Sequence, residues 1–196
     1  MMKASQTLPQ GYRERGRISL KKNKTLLLWL NVLAVPWLML CALFFVTMVN
    51  LLRPLNFEIR SIVFPMGIWL VVLGIVVGLL ITLFVAILLL HELTHGLFFW
   101  LFTRSRPAFG FKGWYAYTAA PGWYLPRAQF LVVGGAPLIL LSLLGVALLL
   151  VVPWVVVPWV LWMLIGNAAG AIGDLYMLAR LTLAPRAVVL EHRSSS

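Results

Sequence analysis

Long apolar segments separated by short polar ones dominate the pattern of this chain. Four such segments lie at about residues 25–52, 61–103, 128–152 and 158–183. Each is longer than the roughly 20 apolar residues that a helix needs to cross a bilayer. We therefore predict an all-α integral membrane protein with four transmembrane helices. A basic segment (1–24) would precede the membrane domain (25–183), and a polar tail (184–196) would follow it.

The second apolar segment is about twice as long as one crossing requires. As one helix, residues 61–103 would extend roughly 64 Å at 1.5 Å per residue, against a hydrocarbon core of about 30 Å. The segment is therefore either one long helix or two spans joined by a tight turn. We expect the segment to be bent or broken near Gly74 or Gly78, and this glycine pair would also permit close contact with another helix.

The distribution of lysine and arginine residues distinguishes one crossing from two. With one crossing, all but two of the 16 basic residues lie on the side of both termini, and only Arg53 and Arg60 lie opposite. With two crossings, about seven lie with the N-terminus and nine lie opposite, a distribution that the excess of basic residues in cytoplasmic loops disfavours. We predict a single crossing, four spans and cytoplasmic termini.

Composition supports a membrane protein and excludes other classes. Of the 196 residues 62% are hydrophobic, and the mean hydropathy is +0.98, which is far from a globular domain. The net charge is +11, and the basic residues cluster just outside the apolar segments. We therefore expect a lipid bilayer and no nucleic acid as partner. The first apolar run is too long for a cleaved signal peptide. A single cysteine, Cys41, excludes an internal disulfide and a cysteine-based zinc site.

Three ionisable residues lie together inside the second apolar segment. The sequence His91-Glu92-Leu93-Thr94-His95-Gly96 has the H-E-x-x-H order of zinc hydrolases. In a helix the two histidines project from one face, and Glu92 can reach a water on a metal that both bind. These residues cannot simply lie on a solvated helix face, because the surrounding segment is apolar. The alternative is a buried His–Glu network that joins helices, and we favour the metal site.

A third metal ligand is expected from the fourth segment. Of the five acidic residues, only the motif glutamate and Asp174 lie inside apolar segments. Asp174 lies at about the depth of His95, and the pattern Gly166-x-x-x-Gly170 would let its helix approach the second closely. An ion pair with Arg180 is the alternative role for Asp174. Asn167, two turns earlier on the same face, would orient the site or bind substrate.

The stretch between the second and third segments, residues 104–127, is rich in aromatic residues and glycine with partial alternation. This pattern predicts a short hairpin-like loop at the membrane interface that ends at Pro121-Gly122. An interfacial belt of aromatic side chains would have the same composition and is the alternative.

With these motifs the chain resembles the site-2-protease-type intramembrane zinc metalloproteases. It is more closely similar to a small family of bacterial membrane proteins described as putative zincin peptidases. The resemblance covers about residues 85–180 and rests on His91 to Gly96, Pro121-Gly122 to Ala136-Pro137, Asn167, and Gly173-Asp174. It implies that His91, His95 and Asp174 hold Zn²⁺ and that Glu92 is the general base. It also implies that residues 104–127 present the substrate as an extended strand.

We therefore expect a zinc peptidase of the bacterial cell membrane that cleaves a membrane-associated polypeptide, with Glu92 as its catalytic residue. A catalytically inactive, protease-like protein that binds partner helices is one rival, which the intact motif disfavours. A metal transporter or sensor is another, and it would need polar residues along a path through the membrane. The first and third spans offer almost none. Hydrolysis of a substrate other than a peptide is a further alternative.

Overall fold

The computed structural model describes residues 3–9, 11, 24–53, 66–112, 115–183 and 189–191. Most of the predicted basic segment and of the polar tail, and the loop that contains Glu58 and Arg60, lie outside these residues. The described chain is mostly helical, which confirms the helical class of the prediction.

Five helices form the described part of the chain. They are α1 (Lys24–Leu52), α2 (Met66–Thr103), α3 (Arg127–Val151), α4 (Val157–Gly170) and α5 (Ile172–Thr182). Helices α1, α2 and α3 are long and apolar enough to cross a membrane, and α4 with α5 make a fourth if this bent pair is one span. A short 3₁₀ turn, Trp154–Val156, joins α3 to α4.

The described part of the second predicted segment, residues 66–103, forms one helix without interruption. Gly74 and Gly78 both lie inside the 38 residues of α2, so the expected break at these positions was wrong. A Cβ atom at either glycine would meet nothing within 4 Å, so no part of the described chain packs closely enough there to require a break. In apolar surroundings an unbroken helix satisfies its own backbone groups. The hydroxyl of Thr82 adds a bond to the Gly78 carbonyl at 2.8 Å.

The break in a helix lies in the fourth predicted segment, at Ala171. Helices α4 and α5 meet there at 42°, so one helix over residues 158–183 was a wrong prediction. The Ala171 N–H still donates to the carbonyl of Asn167, at 3.2 Å. A helix end leaves carbonyl groups without partners inside the helix. Here the carbonyl of Ala168 accepts a hydrogen bond from the indole of Trp37 in α1, at 2.8 Å.

Helix α4 packs against α1, α2 and α3. A buried cluster joins it to α1 and α3, and its members are Cys41, Phe45, Val49, Leu149, Val157, Val160, Leu164 and Ala168. A Cβ atom at Gly145 of α3 would lie 2.5 Å from Leu164 Cδ2. The absence of a side chain at Gly145 therefore lets α3 and α4 approach closely, as small residues do between apolar helices.

The glycine pair of α4 contacts α2 less than we expected. A Cβ atom at Gly166 would lie 3.8 Å from Ile87 Cγ2, which is ordinary contact, but one at Gly170 would meet nothing within 4 Å. The expected close approach was therefore wrong for Gly170, which is the last residue of α4 and lies beside the break. A direct tie between the two helices comes from the indole of Trp162, which donates to the Leu80 carbonyl at 3.3 Å.

Two strands between α2 and α3 pair as an antiparallel hairpin, β1 (Ala108–Lys112) with β2 (Tyr115–Ala119). The hairpin packs against α2 at Gly96, where a Cβ atom would lie 2.5 Å from Cζ of the Phe109 ring. A glycine directly after the second motif histidine therefore allows β1 to lie against the helix. Phe109 pairs with Thr118 in the hairpin register, so both side chains occupy the face that meets α2.

Both ends of the described chain contact the strand that leads into α3. This strand, β3 (Tyr124–Pro126), pairs antiparallel with β4 (Val189–Glu191). Near the N-terminus, Ser5 exchanges two backbone hydrogen bonds with Tyr124, at 3.1 and 2.8 Å. A second buried cluster joins this region to the helices, with Phe99, Ala120, Leu125, Phe130, Val133 and Leu181 as members. The two chain ends therefore lie at the same end of the molecule as the hairpin connection.

At the end of α1, Arg53 binds the last turn of α3. Its Nη1 donates to the carbonyls of Leu149 and Val152, at 2.9 and 2.6 Å, and its guanidinium lies 4.2 Å from the ring centroid of Trp154. Carbonyls of a final helical turn lack partners in their own helix. Arg53 therefore supplies the C-terminal cap that α3 does not provide for itself.

We expect Arg53→Ala to lower the free energy of unfolding by about 2 kcal/mol, because charge-assisted hydrogen bonds to two carbonyls are lost. Unfolding of the detergent-solubilised protein, followed by circular dichroism, measures the change. Arg180→Ala, at an exposed position of α5, is the control and should change stability by less than about 0.5 kcal/mol. Equal stability of Arg53→Ala and the wild type would contradict the capping role.

Candidate metal centre

Helix α2 places the two motif histidines on one face, one turn apart. His91 and His95 are each 8% exposed, and their ring centroids lie 5.0 Å apart with the rings inclined at 76°. The spacing of four residues in a helix produces this arrangement directly. Two buried imidazoles in an apolar helix need polar partners, because unpaired polar groups are costly there.

Asp174, in the first turn of α5, faces both imidazoles. Its Oδ2 lies 2.9 Å from His91 Nε2 and 3.3 Å from His95 Nε2. The three potential ligand atoms all lie within 4.8 Å of one another. The structure thus brings together the three residues that the sequence suggests as metal ligands. Within the described part of the chain, no ion pair joins Asp174 to Arg180, the other partner considered for it.

The outer nitrogen of His95 is held by a backbone carbonyl. His95 Nδ1 lies 2.9 Å from the carbonyl oxygen of Val133 in α3, and Val133 is only 2% exposed. A carbonyl can only accept a hydrogen bond, so Nδ1 carries the proton and donates it. The Nε2 lone pair of His95 therefore points towards Asp174, as in a neutral metal-binding imidazole.

The outer nitrogen of His91 is held by the side chain of Asn167. The Asn167 Nδ2 donates to the carbonyl of Pro137 at 3.3 Å, and this contact directs Oδ1 to His91 Nδ1 at 3.0 Å. Because Oδ1 is an acceptor, His91 Nδ1 must be the donor. Asn167 thus contacts His91, and the Nε2 lone pair of His91 faces Asp174.

The donor set fits a zinc ion. Two Nε2 lone pairs and a carboxylate oxygen converge on one another, and they repel unless a cation or bound protons lie among them. Imidazole nitrogen and carboxylate oxygen are common zinc ligands, and tetrahedral bonds of about 2.1 Å would separate neighbouring ligand atoms by roughly 3.4 Å. The observed separations of 2.9 and 3.3 Å lie close to this value. Three protein ligands also leave the fourth position that a catalytic zinc site needs.

The two partners of His91 lie on either side of the break between α4 and α5. Asn167 lies in the last turn of α4 and Asp174 in the first turn of α5, with the 42° bend between them. One side chain reaches Nδ1 and the other reaches Nε2 of the same imidazole.

Glu92 lies beside the metal-ligand group, and the hairpin contacts it. The hydroxyl of Thr118 in β2 lies 2.8 Å from Glu92 Oε2 and 3.0 Å from the Glu92 backbone carbonyl. Thr118 is 5% exposed, so its single hydroxyl proton is shared between these two acceptors. The glutamate side chain is therefore held against the strand that packs on α2.

Three participants in this network were not predicted as site residues: Thr118, the carbonyl of Val133 and Pro137. For Thr118 the sequence contains no local signal, because its contact depends on how the hairpin packs against α2. For the carbonyl of Val133 a signal was present. A proline inside a helix removes the donor for the carbonyl four residues earlier, and Pro137 stands four residues after Val133 in α3.

Comparison with known proteins places this centre inside a matched region. A family model described as "Putative zincin peptidase" matches residues 83–189, which is more than half of the chain and includes every residue of the network. No curated protein and no solved structure matched the chain. The family description supports a zinc-dependent peptidase. On this match, the chain belongs to the putative zincin peptidase family.

Proposed function

We propose that this protein is a membrane-embedded zinc peptidase of the site-2-protease type, which hydrolyses a peptide bond of a membrane-associated polypeptide. One observation carries the proposal. Asp174 Oδ2 faces the Nε2 atoms of both motif histidines, and a separate acceptor holds each Nδ1. Both imidazoles are thus oriented for metal binding in advance of the metal, which is the arrangement that outer hydrogen-bond partners provide in zinc enzymes.

His91, His95 and Asp174 would hold the zinc ion. When bound, zinc supplies Lewis-acid chemistry, which lowers the pKa of water and polarises a carbonyl. The side chain of Asp174 is 28% exposed, so the ligand group is open on the side of α5. The substrate and the attacking water would reach the centre from that side.

Glu92 would act as the general base. It follows His91 directly on α2, and a carboxylate in this position takes a proton from the attacking water and returns it to the leaving amine. The hydroxyl of Thr118 donates to Oε2, which leaves Oε1 to accept that proton. Thr118 thus restricts the rotation of the Glu92 side chain and keeps it beside the histidines.

The hairpin of β1 and β2 would present the substrate. Among the residues that the structure describes, β1 and β2 form a two-stranded sheet, so we expect each strand to offer one edge to an extended peptide. β2 also carries Thr118, which contacts Glu92, so a peptide added to the sheet would lie near the general base. An extended substrate exposes its peptide bond to attack, whereas a helical one shields it.

Four crossings of a bacterial membrane with cytoplasmic termini complete the proposal. In this arrangement α4 and α5 together form the fourth, broken crossing. Ser5 and β4 both contact β3, which agrees with termini on one side of the bilayer. The excess of basic residues on the side of the termini makes that side cytoplasmic. The metal centre then opens towards the cytoplasm.

We expect purified wild-type protein to contain one zinc ion per chain, and His95→Ala and Asp174→Ala to contain little, because each loses one of three ligands. Metal analysis by mass spectrometry measures the stoichiometry. Thr94→Ala is a matched control on the same helix turn, since the Thr94 hydroxyl donates to the Leu90 carbonyl of its own helix, at 2.7 Å. One zinc per chain in Asp174→Ala would remove Asp174 as an essential ligand.

We expect Glu92→Gln to retain zinc but to lower kcat by about 10²–10⁴-fold, the usual contribution of a general base. Cleavage of model single-span polypeptides in liposomes, read by mass spectrometry of the products, measures the rate. Zinc content of the same preparations controls for damage to the site. Undiminished cleavage by Glu92→Gln would contradict the mechanism. Zinc binding without cleavage of any substrate by the wild type would favour the inactive, metal-binding alternative.

A further inference from the structure

We propose that Pro137 is a positioning residue for both metal-binding histidines. Because Pro137 has no N–H, the carbonyl of Val133 would remain available to accept a hydrogen bond from His95 and so orient its ring. The carbonyl of Pro137 would orient Asn167, which in turn orients His91. This inference rests on the proposed function, because it assumes that the two histidines bind a metal ion.

The first step concerns the missing donor. In an α-helix the N–H of each residue donates to the carbonyl four residues earlier, and proline has no N–H. Pro137 lies inside α3, so the carbonyl of Val133 lacks its usual helical donor. His95 Nδ1 lies 2.9 Å from that carbonyl oxygen. The imidazole of α2 therefore takes the place of the absent backbone donor of α3.

Burial favours the hydrogen bond between His95 and the carbonyl of Val133 over bonds to water. Val133 is 2% exposed and His95 is 8% exposed, so water is a poor competitor for either group. A buried carbonyl without a donor is unfavourable, and so is a buried imidazole without a partner. Their mutual hydrogen bond satisfies both groups. It also restricts the ring of His95 to the orientation in which Nε2 faces Asp174.

The second step concerns the carbonyl of Pro137 itself. Asn167 is 2% exposed, and its Nδ2 donates to this carbonyl at 3.3 Å. This contact decides which end of the Asn167 amide faces His91, because a carbonyl can only accept. With Nδ2 occupied in this way, Oδ1 accepts from His91 Nδ1. The tautomer of His91 thus depends on a backbone group at position 137.

Any other residue at position 137 would change the first contact. Its N–H could donate to the Val133 carbonyl and compete with His95. The helix would be relieved of its proline, which is the least favourable residue for a helix interior. The fold should therefore be retained or strengthened, while the metal centre becomes less well oriented. If Pro137 only packed in the core, its substitution would instead weaken both the fold and the metal site.

The test uses Pro137→Ala and Pro137→Val. Both variants restore a backbone N–H, and valine keeps more of the buried volume than alanine. We expect the Kd for zinc, measured by competition with a chromophoric chelator, to rise about 10–100-fold, as for other residues that orient metal ligands. The thermal unfolding midpoint of the metal-free protein should stay unchanged or rise. The absorption spectrum of the Co²⁺-loaded variants should differ from that of the wild type, because it reports ligand geometry.

Pro36→Ala is the matched control, since Pro36 is a proline inside α1, a helix that contributes no ligand to the centre. Its neighbour Trp37 contacts the carbonyl of Ala168, so this variant also tests whether disturbed packing near the α4–α5 break is enough to alter the site. We expect its zinc affinity to equal that of the wild type. Equal loss of affinity in Pro36→Ala and Pro137→Ala would overturn the inference.

Three further outcomes bear on this inference, and the first two separate it from the proposed function. Wild-type zinc affinity in both Pro137 variants would overturn the role of Pro137 and leave the proposed function standing. Failure of the wild-type protein to bind zinc would contradict the proposed function, and the inference with it. A fall in both the unfolding midpoint and the zinc affinity of Pro137→Val would assign Pro137 a packing role and also overturn the inference.

Discussion

The meeting of Asp174 with two histidines is the constraint that the packing of the helices has to satisfy. The carboxylate comes from α5 and both imidazoles from α2, so the site exists only where these helices approach each other. A buried group of electron-pair donors is unfavourable without a cation. The packing that brings them together therefore has to be stabilised by other contacts. The buried cluster that includes Phe99 of α2, Val133 of α3 and Leu181 of α5 joins these helices.

Irregularities in the helices supply the polar groups that a regular helix cannot offer. An α-helix uses its own backbone donors and acceptors, so in an apolar bundle few groups remain to orient a side chain. At Ala171 the break releases the carbonyl of Ala168, which binds Trp37. At Pro137 the missing N–H leaves the carbonyl of Val133 to His95. Each released group is bound by a side chain of another helix, so each irregularity also joins two helices.

The parts of the structure that depend on local sequence were predictable. The apolar segments are long enough to place the helices, and the spacing of His91 and His95 puts both on one face without reference to the rest of the fold. The scarcity of acidic residues singled out Asp174. The position of the break was not predictable from glycine content, because Gly74 and Gly78 stay helical and the chain breaks at Ala171. The contact of Thr118 with Glu92 depends on tertiary packing, to which no short sequence pattern corresponds.

The regular helix α2 and the irregular helices make different contributions to the site. α2 carries the histidines and the glutamate without any interruption, and an uninterrupted helix fixes the relative positions of side chains one turn apart. A break in α2 between His91 and His95 would alter that spacing. The irregularities lie instead in α3 and between α4 and α5, which contribute the groups that hold the outer nitrogens. A regular helix thus provides the spacing of the two histidines, while irregular helices provide the groups that contact their outer nitrogens.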